Sequence, residues 1–198
     1  MSLKMNLSDD EVRQIAELHC NLLPDGFLAS FGKEFLYLVY QKINSSVGST
    51  IIVYCINSEV VGFIAGGEGL KNVYLQLLKD PLRLCKYVLP QLLRKSTVIK
   101  LLSMLTRKNK QTNTAFKMTD AELYSICVMK NYQGSAVAQT LYEGLCDFFK
   151  ENNLDAFMIV VGSELSQAQH FYKKQGAEPV GTLEQGSGKR SIVFKQLL

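Results

Sequence analysis

Residues 121–149, AELYSICVMKNYQGSAVAQTLYEGLCDFF, decide the fold. From Ala121 to Met129 the residues are β-branched, aromatic or apolar, and the single charge is Glu122, so the segment reads as a mostly buried strand. A short polar turn, Lys130 to Gln133, leads into Gly134-Ser135-Ala136-Val137-Ala138. Val137, Leu141, Leu145 and Phe148 then recur at spacings of four, four and three, which predicts one apolar face of a helix. A turn of small residues that opens a helix leaves the first N–H groups unpaired and unshielded at the positive end of the helix dipole. Such an end is a candidate phosphate site.

Working outward, the 198 residues suit one domain, 1–198, with a sizeable core. An apolar fraction of 47% with 20% charged residues excludes a disordered chain and predicts a soluble globular one. Five cysteines are scattered through apolar runs, which reads as buried thiols of a reducing compartment and not as a disulfide framework. His19 and His170 are the two histidines and no cysteines sit close together, so no metal site is expected. No apolar run is long enough to span a bilayer, and Met1-Ser2-Leu3 ahead of Met5 carries no secretory pattern and reads as partly extraneous. A cytoplasmic location is the resulting expectation.

Ser8-Asp9-Asp10-Glu11 has the form of a capping box, followed by Val12, Ile15 and Leu18 or His19 on one face. His19 reads as a packed histidine in preference to a substrate contact. Pro24-Asp25-Gly26 breaks this helix, and a second is predicted from Phe27 to Ile43, ended by Asn44 to Gly48. Thr50–Ile56 and Glu59–Gly66 are β-rich runs joined by Asn57-Ser58, the composition of a tight hairpin.

Residues 71–110 set the charge of the whole chain. They hold ten Lys or Arg against Asp80 alone, a formal +9, while the remaining twelve bases and seventeen acids give −5. Leucine-rich stretches at helical spacing (Leu75, Leu78, Leu82 and Cys85, then Leu89, Leu92 and Leu93, then Ile99, Leu102 and Leu105) are punctuated by Pro81 and Pro90. The segment reads as a helical insertion, about 70–112, between the third and fourth strands. An amphipathic cover with solvated bases is one reading. A surface for an anionic ligand, an acidic carrier protein or an anionic membrane is the other. Base-stacking platforms are lacking, so nucleic acid is not expected.

In the central strand, simple alternation places Glu122, Tyr124, Ile126 and Val128 on one face and Leu123, Ser125 and Cys127 on the other. Leu154–Gly162 reads as a buried parallel strand, and a helix from Ser163 carries Leu165, Ala168, Phe171 and Tyr172, with Gly176 as its stop. Glu178–Leu183 and Lys189–Gln196 close the chain as a hairpin.

Two of these segments carry a resemblance. The strand and turn ending Gln133-Gly134-Ser135-Ala136-Val137-Ala138 resemble motif A of the GNAT superfamily of N-acetyltransferases, whose turn reads Gln/Arg-x-x-Gly-x-Gly/Ala, with Ala136 here in place of the usual Gly. Residues 168–177, AQHFYKKQGA, resemble motif B, although Leu165 stands where the family often has Asn. The resemblance implies an α/β fold, a GNAT-like mixed central sheet flanked by helices, with the basic segment inserted between strands 3 and 4. It implies acetyl-CoA as cosubstrate without a metal, gripped by Gln133, Gly134, Ser135, Ala136, Val137 and Ala138 and by the backbone of Ile126, Cys127 and Val128. It further implies Glu122 as general base through water, Val128 N–H as oxyanion donor and Tyr172 as the acid that protonates sulfur. The implied activity is acetyl transfer to the primary amine of a small molecule, an amino sugar or other anionic metabolite among them. A longer-chain N-acyltransferase and a non-catalytic acyl-CoA-binding or membrane-associating module are the alternatives. Cys127 has no histidine nearby in sequence, which argues against a thiol nucleophile. The oligomeric state stays open.

Overall fold

A computed structural model describes residues 2–24, 26, 28–79, 81, 86, 119–184 and 190–198. Its frame is a seven-stranded sheet in the order β1-β2-β3-β4-β5-β7-β6. The strands are β1 (Ser2–Lys4), β2 (Ser49–Ile56), β3 (Glu59–Glu68), β4 (Ala121–Val128), β5 (Ala156–Gly162), β6 (Glu178–Glu184) and β7 (Arg190–Leu197). Neighbours are antiparallel throughout except β4 and β5, which are parallel, so the sheet is mixed as expected.

Helices cover both faces. On one lie α1 (Asp9–Leu22), α2 (Lys33–Ser45) and α3 (Leu70–Leu77); on the other lie α4 (Val137–Glu151) and α5 (Ser166–Lys174). Ile51, Val53, Phe63 and Ala65 enter the first core, whereas Ile52 and Ile64 enter the second. Burial on both faces is why β2 and β3 read as continuous apolar runs without alternation.

The capping box of α1 forms: the Glu11 N–H donates to Ser8 Oγ at 3.4 Å and the Ser8 N–H donates to the Glu11 carboxylate at 2.8 Å. Asn57 and Ser58 both take positive φ, 50° and 66°, the turn geometry that follows strand twist in a two-residue hairpin. The second helix is shorter than expected. A 3-10 turn at Ala29–Phe31 ends at Gly32, whose φ of +88° no continuing helix can use, and α2 restarts at Lys33. Ser2–Lys4 pair with Val53–Cys55 as an edge strand.

Two apolar faces shift from their expected positions. In α4 the buried aromatic is Phe149, fully enclosed, and Phe148 is only half-buried, so the stripe runs at a constant spacing of four. At α3 the leucines picked out by spacing, Leu75 in the helix and Leu78 just past its end, are 48% and 61% exposed, while Val73 and Leu77 face the core. The rest of the expected basic helices, from Leu82 to the polar loop at Asn109–Thr114, lies outside the described residues apart from Lys86, as does the turn Gln185–Gly188 between β6 and β7. Helix α5 begins at Ser166, not Ser163, and leaves Leu165 47% exposed ahead of it. It stops as expected: Gly176 sits at φ +88°, its N–H donates to Lys173 O at 3.0 Å, and the Ala177 N–H donates to Tyr172 O at 3.0 Å.

Candidate active site

The candidate residues of β4 lie where β4 and β5 separate. These strands pair only at Glu122 with Met158 and Leu123 with Ile159, after which no residue of β4 is paired with β5. Beyond that point β4 remains on β3, with Ser125 against Ala65 and Val128 against Gly62, and the Met129 N–H donates to Val61 O at 2.8 Å. Counting back in steps of two from Met129, Cys127 and Ser125 turn their N–H groups toward β3, and Ile126 and Val128 turn theirs toward the gap. A wedge-shaped slot edged by free backbone donors results.

A bulge shapes the slot's wall. The register shifts between Ala65/Ser125 and Gly66/Leu123, so Tyr124 is the extra residue of β4. Strict alternation therefore fails: Tyr124 packs with Cys127 on the α1–α3 side, while Leu123, Ile126 and Val128 pack on the α4 side. Glu122 shares the face of Tyr124, because its charge acts on the hydroxyls of Tyr74 and Tyr124. Across the gap, Phe157, Ile159 and Val161 point into the α4 core, which turns Val160 to the other face. Val160 is 42% exposed between neighbours that are 1% and 6% exposed, because β4 has peeled away beside it.

Glu122 is half-buried, and burial first, then Asp120, raises its carboxyl above the ordinary range. No ion pair or hydrogen bond engages it among the described residues. Tyr172 is 4% exposed, ringed by Tyr142, Phe171 and Phe194. Burial first, then Cys127, holds its hydroxyl well above the ordinary phenol range. Its hydroxyl makes no hydrogen bond among the described residues, although a buried hydroxyl nearly always has a partner. The Cys127 thiol is pushed by burial up to about 12, so it is not a thiolate at neutral pH and the nucleophile reading gains nothing.

At the end of β4, the Gln133 side chain donates to Val128 O at 3.0 Å and so ties the turn to the strand. Gly134 takes φ +78°, where a side chain would be strained although nothing would obstruct its Cβ within 4 Å. Ser135 Oγ donates to Tyr132 O at 2.5 Å and holds the turn closed. The Val137 N–H has only the Ser135 hydroxyl, at 3.4 Å, and the N–H groups of Gly134, Ala136, Ala138 and Gln139 have no partner among the described residues. Ala136 lies in the ordinary helical region, φ −68°, so its conformation does not call for glycine. Gln133, Gly134, Ser135 and Ala136 are exposed, while Val137 sinks its side chain into the core and presents only backbone. This exposed cluster of donors at the positive end of a 15-residue helix fits a pyrophosphate, and the slot next to it fits an extended amide chain.

Three residues were not among the expected site residues: Val160 and Ser125 beside the gap, and Tyr40, buried behind Ser125. Val160 carries no sequence signal, and Ser125 was assigned to the opposite face from Tyr124 because a bulge is invisible to alternation. Tyr40 reads in sequence as one more core aromatic of α2.

The arrangement belongs to a known class. A family model described as the acetyltransferase (GNAT) family matches residues 15–177, and the chain is a member of that family. Among solved structures, ribosomal-protein-alanine N-acetyltransferase from Brucella melitensis aligns over 100% of both chains with a TM-score of 0.64 and 14% identity. PaiA N-acetyltransferase from Thermoplasma acidophilum, in complex with coenzyme A, aligns over 100% of both chains with a TM-score of 0.61 and 12% identity. An acetyltransferase from Bacillus anthracis in complex with acetyl coenzyme A aligns over 81% of this chain and 69% of its own, with a TM-score of 0.52 and 16% identity. No curated protein matches the sequence.

Proposed function

We propose that this protein transfers an acetyl group from acetyl-CoA to the primary amine of a small molecule by direct attack, without an acyl-enzyme. The observation that carries the reading is the slot between β4 and β5, with unpartnered backbone donors on its edge and at the adjoining helix end. Two similar folds, in PaiA N-acetyltransferase and the Bacillus anthracis acetyltransferase, were solved with coenzyme A or acetyl coenzyme A, which agrees with that use of the slot.

In this reading Gly134, Ala136, Val137 and Ala138 hold the pyrophosphate through their backbone, while Gln133 and Ser135, whose N–H donates to Tyr132 O at 3.3 Å, brace the turn. The Ile126 to Val128 edge takes the pantetheine arm as Cys127 stays tied to β3. An alkylammonium has a pKa of about 10 and is inert until it loses a proton. Glu122, its basicity raised by burial, draws that proton through water. The amine nitrogen then attacks the thioester carbonyl carbon, and the developing oxyanion is met by the Val128 N–H, a donor already fixed by the sheet. As the C–S bond breaks, the nitrogen sheds its second proton to solvent to give the neutral amide, and Tyr172 gives its phenolic proton to the sulfur, which leaves as the CoA thiol; solvent then reprotonates the phenolate. Glu68, Asp120 and Glu122 gather at this end of the sheet with no ion pair among the described residues, which favours entry of the ammonium end of the acceptor.

The test pairs calorimetric titration of acetyl-CoA, CoA and decanoyl-CoA with thiol release in the presence of ethanolamine, glucosamine and spermidine. Binding of acetyl-CoA, with amine-dependent thiol release, is the expected result. Preference for decanoyl-CoA assigns a longer-chain transferase, and acyl-CoA binding without release to any amine assigns a non-catalytic binding module.

A further inference from the structure

A buried polar chain runs from α1 to the β4 bulge. The Nδ1 of His19 lies 2.5 Å from Tyr40 Oη, and Tyr40 Oη lies 2.9 Å from Ser125 Oγ. His19 and Tyr40 are 5% and 2% exposed, sealed by Phe63, whose ring stacks on His19 at 22° and meets Tyr40 edge-on at 80°. Ser125 is half-buried and lies just past the last β4–β5 pair.

A core of this kind is ordinarily apolar, and three polar groups in a row inside it need a reason. The chain has a direction. Phenol is the most acidic hydroxyl present and imidazole the most basic acceptor, so the 2.5 Å contact runs from Tyr40 O–H to His19 Nδ1. Having donated its one proton, Tyr40 accepts from the Ser125 O–H. Ser125 is then left with lone pairs and no free proton, an acceptor only, at the wall of the slot.

We propose that Ser125 Oγ is the hydrogen-bond acceptor for the N–H of the incoming amine, and that Tyr40 and His19 are positioning residues that hold it in this one polarity. The proposal rests on the acetyl-transfer reading and adds to it the element that orients the nucleophile. A nucleophile with N–H groups to spare is held with its lone pair turned to the carbonyl. A nucleophile without an N–H gains nothing from Ser125, and a second hydroxyl donor in its place would compete for the nitrogen lone pair.

The experiment has two arms. In the ligand-free protein, 15N NMR of His19 is expected to show an unprotonated Nδ1 and a protonated Nε2, with the Nδ1 shift altered in Tyr40→Phe. A protonated Nδ1 reverses the chain and overturns the proposal. In steady-state kinetics with acetyl-CoA and the best of ethanolamine, glucosamine and spermidine, Ser125→Ala and Tyr40→Phe are each expected to raise the amine KM about tenfold. The acetyl-CoA KM stays within about twofold, the double variant is no worse than either single one, and Ser125→Thr behaves as wild type. An unchanged amine KM in a folded Ser125→Ala, equal rises for both substrates, or additive effects overturn it. Failure of the wild-type protein to bind acetyl-CoA would instead overturn the transfer reading beneath it, which the titration alone decides.

Discussion

Removing one oxygen, in Tyr172→Phe, separates a catalytic tyrosine from a core tyrosine. The side chain is almost fully enclosed, and its hydroxyl has no hydrogen-bond partner among the described residues. Leaving a buried hydroxyl unpaired costs about 1–3 kcal/mol. Water in the neighbouring slot offsets part of that cost, so the variant should be unchanged or more stable by about 1 kcal/mol. The ring contacts with Tyr142, Phe171 and Phe194 survive the change, so no packing is lost. Activity moves the other way. Without a proton for the leaving thiolate, turnover should fall by roughly 10²–10⁴-fold, while acetyl-CoA binding is preserved. Urea unfolding gives the first quantity, and thiol release with calorimetry gives the others. Wild-type turnover, or a loss of more than about 1 kcal/mol on unfolding, would refute the reasoning by showing that the hydroxyl is either idle or satisfied.

Glu122→Gln should lower turnover by about 10²–10⁴-fold and abolish the acid limb of the pH–rate profile, which in the wild-type protein should fall above the ordinary carboxylate range because burial and Asp120 raise this carboxyl. His19 is lowered by burial from 6.5 to about 4, so its unfolded form binds the proton more tightly. Its contribution is complete above about 6.5 and is lost as pH falls toward 4, about 2–3 kcal/mol between pH 7 and 4.5, a slope that urea titrations should find missing in His19→Asn. In Gly66→Ala the new Cβ would lie 2.9 Å from Leu145 Cδ1 and 3.0 Å from Glu122 O. The strand backbone cannot yield, so overpacking should cost about 1–3 kcal/mol in denaturant unfolding. Ser8→Ala removes the acceptor of the capping box and should cost about 1 kcal/mol in the same assay.

The strand-turn-helix at 121–149, the capping box at Ser8, the Asn57-Ser58 hairpin and the Gly176 stop could be read from sequence because each is decided within a few residues, by period, capping chemistry or tolerance of positive φ. The same holds for the donors at 134–138, since a helix end exposes its N–H groups whatever surrounds it. What sequence alone misplaced depends on distant neighbours. Gly32 splits the second helix, Ser2–Lys4 finds a partner in β2, and Leu75 and Leu78 face outward because Val73 and Leu77 reach the core. The candidate active site depended most on tertiary structure. Alternation from Glu122 to Val128 is a local rule, but a single extra residue at Tyr124, set by pairing with β3, reverses its phase. The slot exists because β5 parts from β4 after Leu123, and the chain from His19 to Ser125 spans α1, α2 and β4. Residues 19, 40 and 125 are too far apart in the chain for local preference to relate them, so only the packing of the helices on the sheet brings their polar atoms into line.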